Sequence, residues 1–468
     1  MSGEIVRPPR LQINAWAEGV SNSDTLSAKT LWAQAKLGEK QRKFLAAPAP
    51  ADPRDWRHPE VGWGLVLRDD PDLSHTARCS GEDAPPALRK LLEARPGSPV
   101  LRWSAADNQQ NYLRRYYADG SAQDLSIAAP KPGIGPGRIP RYLLLYGSPE
   151  VIPWAVQYAL NMSTFVGRID LEGVELENYV NALVNDWSGH VSHSRAPLIW
   201  TVDHGQPDIT WLMARAIGMP LWKLFEGDSD LTGRTLLKDA EATRESLCSA
   251  LKETRPGLII TTSHGMTGPL TDKTALQAQL GVPVDRHHQP LDLAGLTDWQ
   301  AGGAIWYAQA CCSAGSDSAT RYGDLMGPDS SVGKILAGVA DNAGAMVAPL
   351  PKMLLGSTSP LKAFVGHVEP TFDWTLRDPA TNQPLNHVLT SALYNNLYQA
   401  DRPTPIGFAL RGVFDEAGAF YGAWQDAIDG INNNVAGMRD MALYRQLVAR
   451  DRQTLVVLGD PTVSLASL

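Results

Sequence analysis

Two short segments place chemically complementary side chains directly after apolar runs. GLIITTSHG at 257–265 ends in His264-Gly265, and AIWYAQACCSAG at 304–315 carries Cys311 after Gln309-Ala310. A free thiol with a pKa of about 8.5 is mostly protonated at neutral pH, and a neighbouring imidazole activates it by lowering that pKa or by taking the proton during attack. The same imidazole can then protonate a leaving amine. Gly265 has no side chain, so a substrate carbonyl can approach its backbone N–H, which together with the N–H of Cys311 makes a candidate oxyanion hole. Taken singly, a His after a strand reads as a satisfied polar residue and a buried Cys as a small hydrophobe. Their combination favours catalysis: both follow apolar runs, both precede small or polar loops, and they lie 47 positions apart. Cys312 stays open as the alternative nucleophile.

The elements that must position these residues alternate. Short apolar runs predict strands at 142–146, 198–202, 257–262, 304–310 and 345–348, and helices are expected at 172–184, 209–217 and 240–251 between them. Such alternation argues for a mostly parallel sheet covered on both faces, and sites in such sheets gather beyond the carboxyl ends of the strands. Upstream, a helix is expected around Lys29 to Leu37, a strand at 61–67, a helix at 86–94 and a strand at 100–103. AAPKPGIGPGRIP at 128–140 concentrates Pro and Gly and reads as a boundary. Leu385, Val388, Leu389, Ala392 and Leu393 recur with the spacing of one helical face, and a last strand is expected at 454–458.

Composition narrows the function classes. With 468 residues and a net charge of -8 there is no basic patch to suggest bound nucleic acid. No apolar run suits a signal peptide or a membrane span, so a cytoplasmic protein is expected. Four cysteines are too few for a disulfide framework in so long a chain, and a reducing compartment preserves a catalytic thiol. GPDSSVGKI at 327–335 has Pro328 and Ile335 where a phosphate-binding loop needs glycine and a hydroxyl. His287-His288 has no HExxH or CxxC context, and no GxSxG is present, so neither a metal site nor a serine-hydrolase elbow is expected. No glycine-rich fingerprint follows any strand, so no cofactor is expected.

SHG at 263–265 and QACCSAG at 309–315 resemble the paired His-Gly and Ala-Cys motifs of clan CD peptidases, which include caspases, separases, gingipains and CHAT-type proteases. The gingipain type is resembled over the longest stretch: YLLLYGSPEVIP at 142–153, FVGRID at 165–170, LIWTVDHG at 198–205, GAMVAPLP at 344–351 and LVVLGDPTVSL at 455–465. KDAEATRESLCSAL at 238–251 is similar to CHAT domains. The resemblance runs from about 140 to 465 and leaves the first third uncovered. It implies that Asp203, after the first strand of the catalytic part, orients the histidine; the other reading of Asp203 is a loop cap. It also implies that the loop carrying Lys352 borders a specificity pocket, against the reading of Lys352 as a solvated surface residue.

The fold class expected is therefore α/β, a three-layer caspase-like (caspase-hemoglobinase) fold with a mostly parallel sheet, preceded by a smaller α/β subdomain. The expected domains are 1–135, a regulatory or partner-binding region; 136–195, a non-catalytic subdomain; and 196–468, the catalytic domain, with a helical elaboration at about 366–450. The expected function is a cysteine endopeptidase without cofactor or metal, using Cys311 and His264 on a specific protein substrate. Because an unrestrained protease damages its cell, a regulatory protein partner or activating signal is expected, and the resemblance implies a role in bacterial signalling or defence. The alternative is a catalytically idle caspase-like interaction scaffold.

Overall fold

The computed structural model describes residues 11–17, 20–24 and 50–465 apart from 107, 190–191, 379–380 and 401. The chain divides into two compact units at Ala51/Asp52. In the first, β1 (Leu11–Ala17) pairs antiparallel with β2 (Val20–Asp24). The expected helix around Lys29 to Leu37 lies outside the described residues.

The second unit is built on one twelve-stranded sheet in the order β10-β9-β11-β12-β15-β16-β8-β7-β3-β4-β5-β6. Its strands are β3 (Trp63–Arg68), β4 (Val100–Trp103), β5 (Tyr112–Tyr116), β6 (Ala122–Ser126), β7 (Tyr142–Tyr146), β8 (Phe165–Ile169), β9 (Leu198–Thr201), β10 (Thr235–Leu237), β11 (Leu258–Thr262), β12 (Ile305–Gln309), β15 (Ala363–His367) and β16 (Leu455–Gly459). A small hairpin outside it joins β13 (Gly315–Ser316) to β14 (Met346–Val347). LIITT, IWYAQ and AFVGH are buried at every position, as continuous apolar runs in a parallel sheet covered on both faces must be. This is an α/β protein with a large, mostly parallel central sheet, consistent with a three-layer organisation.

The sheet consists of two parallel blocks of opposite direction and an antiparallel edge pair, β5 and β6. β10, β9, β11, β12 and β15 run one way. β16 is antiparallel to β15, and β8, β7, β3 and β4 follow it in parallel. The carboxyl ends of the two blocks therefore face opposite edges of the sheet. The strand expected at 454–458 is β16, which joins the blocks, and its Gly459-Asp460-Pro461 turn clasps them. Asp460 accepts from Trp63 Nε1 at 3.0 Å and from the buried Arg95 guanidinium at 3.0 Å, while its own N–H donates to Tyr179 at 2.7 Å. β16 and β8 approach so closely that a Cβ on Gly167 would overlap the Gly459 carbonyl oxygen.

Two features differ from the sequence reading. Residues 128–140 lie inside the compact unit Asp52–Leu468 and connect β6 to β7, so the sheet extends well upstream of residue 136. The prolines and glycines break periodicity without separating bodies: Ile139 is buried, and Ile134 N–H donates to Pro59 at 2.9 Å. The apolar run at 345–348 forms the hairpin strand β14, while its expected place in the main sheet goes to β15. The helical region after β15 matches expectation, with helices at 387–393, 406–409, 411–432 and 438–453.

Candidate active site

Strands β9, β11 and β12 are neighbours, with Thr201 paired to Thr262 and Thr262 paired to Gln309. His264 and Cys311 each stand two residues beyond these partners, so an equal offset brings them out at the same level. Contact of the two loops is direct. A Cβ on Gly265 would overlap the Cys311 carbonyl oxygen, and only glycine allows the two backbones to lie this close. Among the described residues, the Gly265 N–H donates to no acceptor.

His264 is oriented by a carboxylate, and that carboxylate is Asp208. His264 Nε2 lies 2.9 Å from Asp208 Oδ2. Asp208 caps the helix that starts at Ile209, its Oδ1 accepting from Thr210 N–H at 2.8 Å and from the Thr210 hydroxyl at 2.5 Å. Partial burial raises the Asp208 pKa, but these donors and the His264 ring outweigh it and hold the carboxyl down at about 2. An ionised Asp208 on Nε2 fixes the tautomer with the proton on Nε2 and leaves Nδ1 as the basic nitrogen. Asp203 does not reach His264. Its carboxylate accepts from Gly205 N–H at 2.8 Å and from the Arg215 guanidinium at 2.7 Å. An arginine twelve residues on, whose guanidinium lies against the Trp211 ring, draws it away and makes it a loop cap.

A second histidine flanks the pair. The His204 ring stacks at 14° to that of His264 with centroids 5.7 Å apart, and on its other side it stacks on His288 at 4.1 Å. Burial, then the neighbouring His288, pushes the His204 pKa down.

Cys311 is half-buried as a residue, with its thiol densely surrounded. Burial pushes its thiol pKa up against the opposing contact of Thr371, whose N–H donates to Sγ at 3.4 Å. The turn around it is strained, because Cys312 and Glu369 both have left-handed backbones (φ 54 and 76). Glu369 overdetermines it: its carbonyl accepts from Cys312 N–H at 3.0 Å, and its buried carboxyl accepts from Thr320 and Arg321. Cys312 itself packs among Leu276, Leu280, Val339 and Ala343 in the core, away from the loop surface. Lys352 pairs with Asp170 at 3.1 Å, so it borders a groove with Ser148, Glu150 and Met346 while its charge is turned to the end of β8. A groove of about 400 Å³ is lined by Asp208 and Thr371, which contact the histidine and the thiol, together with Trp211, Leu212, Phe372 and Arg377.

Among the described residues, one group has the composition and closeness to hold a metal ion: His204, Asp208 and His264, whose ligand atoms lie within 4.8 Å of one another. His287 and His288 do not form such a group. No helix among the described residues is long and apolar enough to cross a membrane. No protein-family model matches the chain, and no curated protein matches its sequence.

Sequence reasoning missed Asp208, His204, Glu369 and Thr371. A signal for Asp208 was present in HGQPDIT, because an Asp before an apolar helical start reads as an N-cap facing the strand ends. Glu369 and Thr371 carried no local signal, since their role depends on β15 lying beside β12.

Proposed function

We propose that the chain is a caspase-like cysteine endopeptidase in which Cys311 is the nucleophile, His264 the acid and base, and Asp208 the group that orients His264. The observation that carries this reading is the backbone contact between Gly265 and Cys311 across adjacent parallel strands. In the proposed reaction His264 Nδ1 takes the thiol proton as Sγ attacks the scissile carbonyl. The resulting oxyanion is held by the Gly265 and Cys311 N–H groups, and the proton passes to the departing amine. Water, deprotonated by the same nitrogen, then cleaves the thioester and returns the thiol. The adjoining groove, apolar at Trp211, Leu212 and Phe372, suits a side chain of a protein substrate.

The raised thiol pKa supports regulation. A buried neutral thiol is a poor nucleophile until something exposes or ionises it, which fits an enzyme held at rest for limited cleavage of one target. The same observation favours the scaffold as a second reading. Intact-mass analysis after treatment with peptidyl chloromethyl and acyloxymethyl ketones separates the two. One adduct is expected in the wild type and in Cys312→Ala, and none in Cys311→Ala or His264→Ala. An adduct that follows Cys312, or labelling indifferent to His264, would sink the peptidase reading. No adduct with any ketone, even after limited proteolysis to release a restraint, would leave the scaffold.

A further inference from the structure

We propose that His204, Asp208 and His264 form a binding site for a divalent first-row transition ion of the Zn²⁺ type, and that the bound ion switches His264 off. The inhibitory part of this inference rests on the peptidase reading; the binding part does not.

Two imidazoles and one carboxylate are a borderline-soft donor set of the kind that suits Zn²⁺, with an open fourth position for water. The ligand atoms lie within 4.8 Å of one another. Bonds of about 2.0 Å need them roughly 3.3 Å apart, so His264 and Asp208, each about one-third exposed, must rotate to close on the ion, which ends the parallel stacking of the two rings.

The arrangement of protons around His204 independently suits a cation there. His204 Nε2 lies 3.2 Å from the Asp285 carbonyl, which can only accept, so that nitrogen carries the proton and Nδ1 the lone pair. The nearest donor to Nδ1 is the Thr210 hydroxyl at 3.4 Å, but its single proton is committed to Asp208 Oδ1 at 2.5 Å. The His204 side chain is only 9% exposed, so this lone pair is buried, faces Asp208 at 3.9 Å and lacks a proton donor among the described residues. The supporting contacts are those of a metal ligand: a ring N–H on a backbone carbonyl, and a carboxylate fixed by a backbone amide and a hydroxyl.

Binding would take the Nε2 lone pair, so the single proton of the neutral His264 ring moves from Nε2 to Nδ1 by exchange with solvent, with no net proton release, and the ion takes its place at Nε2. Nδ1 then no longer has a lone pair with which to take the thiol proton. A hydrolase so inhibited keeps its thiol uncoordinated, which distinguishes this site from adventitious capture of zinc by Cys311.

The test uses the full chain and Zn²⁺ itself, in competition with a chromophoric chelator, so binding is read without any peptidase activity. One equivalent is expected to bind wild type and Cys311→Ala alike. His204→Gln and Asp208→Asn are expected to bind about 10–100-fold more weakly. Co²⁺ in the wild-type chain should show ligand-field bands without a thiolate-to-metal charge-transfer band, a readout that needs no variant to fold. In parallel, Zn²⁺ should slow labelling of Cys311 by a peptidyl ketone in the wild type but not in His204→Gln. Loss of binding in Cys311→Ala with retention in His204→Gln, a thiolate charge-transfer band, or no stoichiometric binding overturns the site. If Zn²⁺ binds as expected and Cys311 never labels, the peptidase reading fails while the site stands.

Discussion

Strands β9 and β11 lead into His204 and His264, and β12 into Cys311, beyond their carboxyl ends. β3, β7 and β8 run the opposite way and lead into Asp69 and Asp70, Gly147 and Ser148, and Asp170 and Glu172 at the far edge of the same sheet. Both edges open into a crevice, as strand ends of parallel sheets do. The residues lining the second crevice include no histidine and no cysteine. Three of its five carboxylates are held by side chains elsewhere: Asp83 by the buried Arg102 at 2.6 Å, Asp170 by Lys352 at 3.1 Å, and Asp69, through one oxygen, by the Tyr116 hydroxyl at 2.9 Å. One architecture thus provides two crevices, and what distinguishes them is which atoms are left uncommitted. In the first these are an imidazole nitrogen, a thiol and an amide N–H; in the second the carboxylates carry the architecture.

The sharpest way to break that comparison is to remove one carboxylate from each crevice. Asp208→Asn should lower turnover and ketone labelling by roughly 10²- to 10⁴-fold, because a neutral amide neither fixes the tautomer of His264 nor stabilises its cation. Asp170→Asn in the other crevice should change the same rates by no more than about 2-fold, as expected of a group that only anchors Lys352. Asp203→Asn should resemble Asp170→Asn, because its partners are Arg215 and Gly205. Steady-state kinetics on a cleavable peptide compare all three. An Asp170 variant as slow as the Asp208 variant would mean that the two crevices work together.

A smaller but more local effect is expected from Gly265→Ala. Its methyl group would overlap the Cys311 carbonyl, so the two loops must part and the amide pair proposed to hold the oxyanion is misplaced. Removing one oxyanion donor costs about 10²- to 10³-fold, and a decrease of that order in kcat with the substrate KM little changed is the expected signature. Equal losses in kcat and thermal stability, with no selective effect on turnover, would reduce Gly265 to a packing residue.

Much of this was legible in the sequence because it rests on local pattern. YLLLY, IWYAQ and the helix at 86–94 declare themselves by apolar runs and helical periodicity, and the offset of His264 and Cys311 from their strands survives folding unchanged. What was not legible depends on which distant segments become neighbours. The family resemblance made Asp203, just after the first strand of the catalytic part, the expected orienter, yet Arg215 on the next helix draws that carboxylate aside and the N-cap five residues later takes the role. The strand AFVGH at 363–367, which straddles the expected start of the helical elaboration at about 366, went unread because nothing local marks it as the partner of β12, and the environment of Glu369 was lost with it.

That environment sets the smallest and most specific expectation. Burial raises the pKa of Glu369 to about 7, against the lowering contacts from Thr320 and Arg321. Burial likewise raises Asp451, held by Thr375 and the Phe372 N–H, to about 7. Both exceed ordinary carboxyl values, so the folded chain keeps protons that the unfolded chain has already lost. The stability these groups contribute is complete below about pH 4 and disappears as the pH rises through 7. His367, lowered to about 3 by burial and then by Arg452, works in the opposite sense, but only below its ordinary value near 6.5. Between pH 6.5 and 7.5 the carboxyl groups therefore dominate, and the thermal midpoint should fall by on the order of 2 °C. Glu369→Gln should reduce that fall to about half while leaving the Asp451 share intact. A midpoint that rises over this interval, or a Gln variant with an undiminished fall, would mean that Glu369 is ionised in the folded chain. The strained turn behind Cys311 would then be held by an anion rather than by a neutral acid.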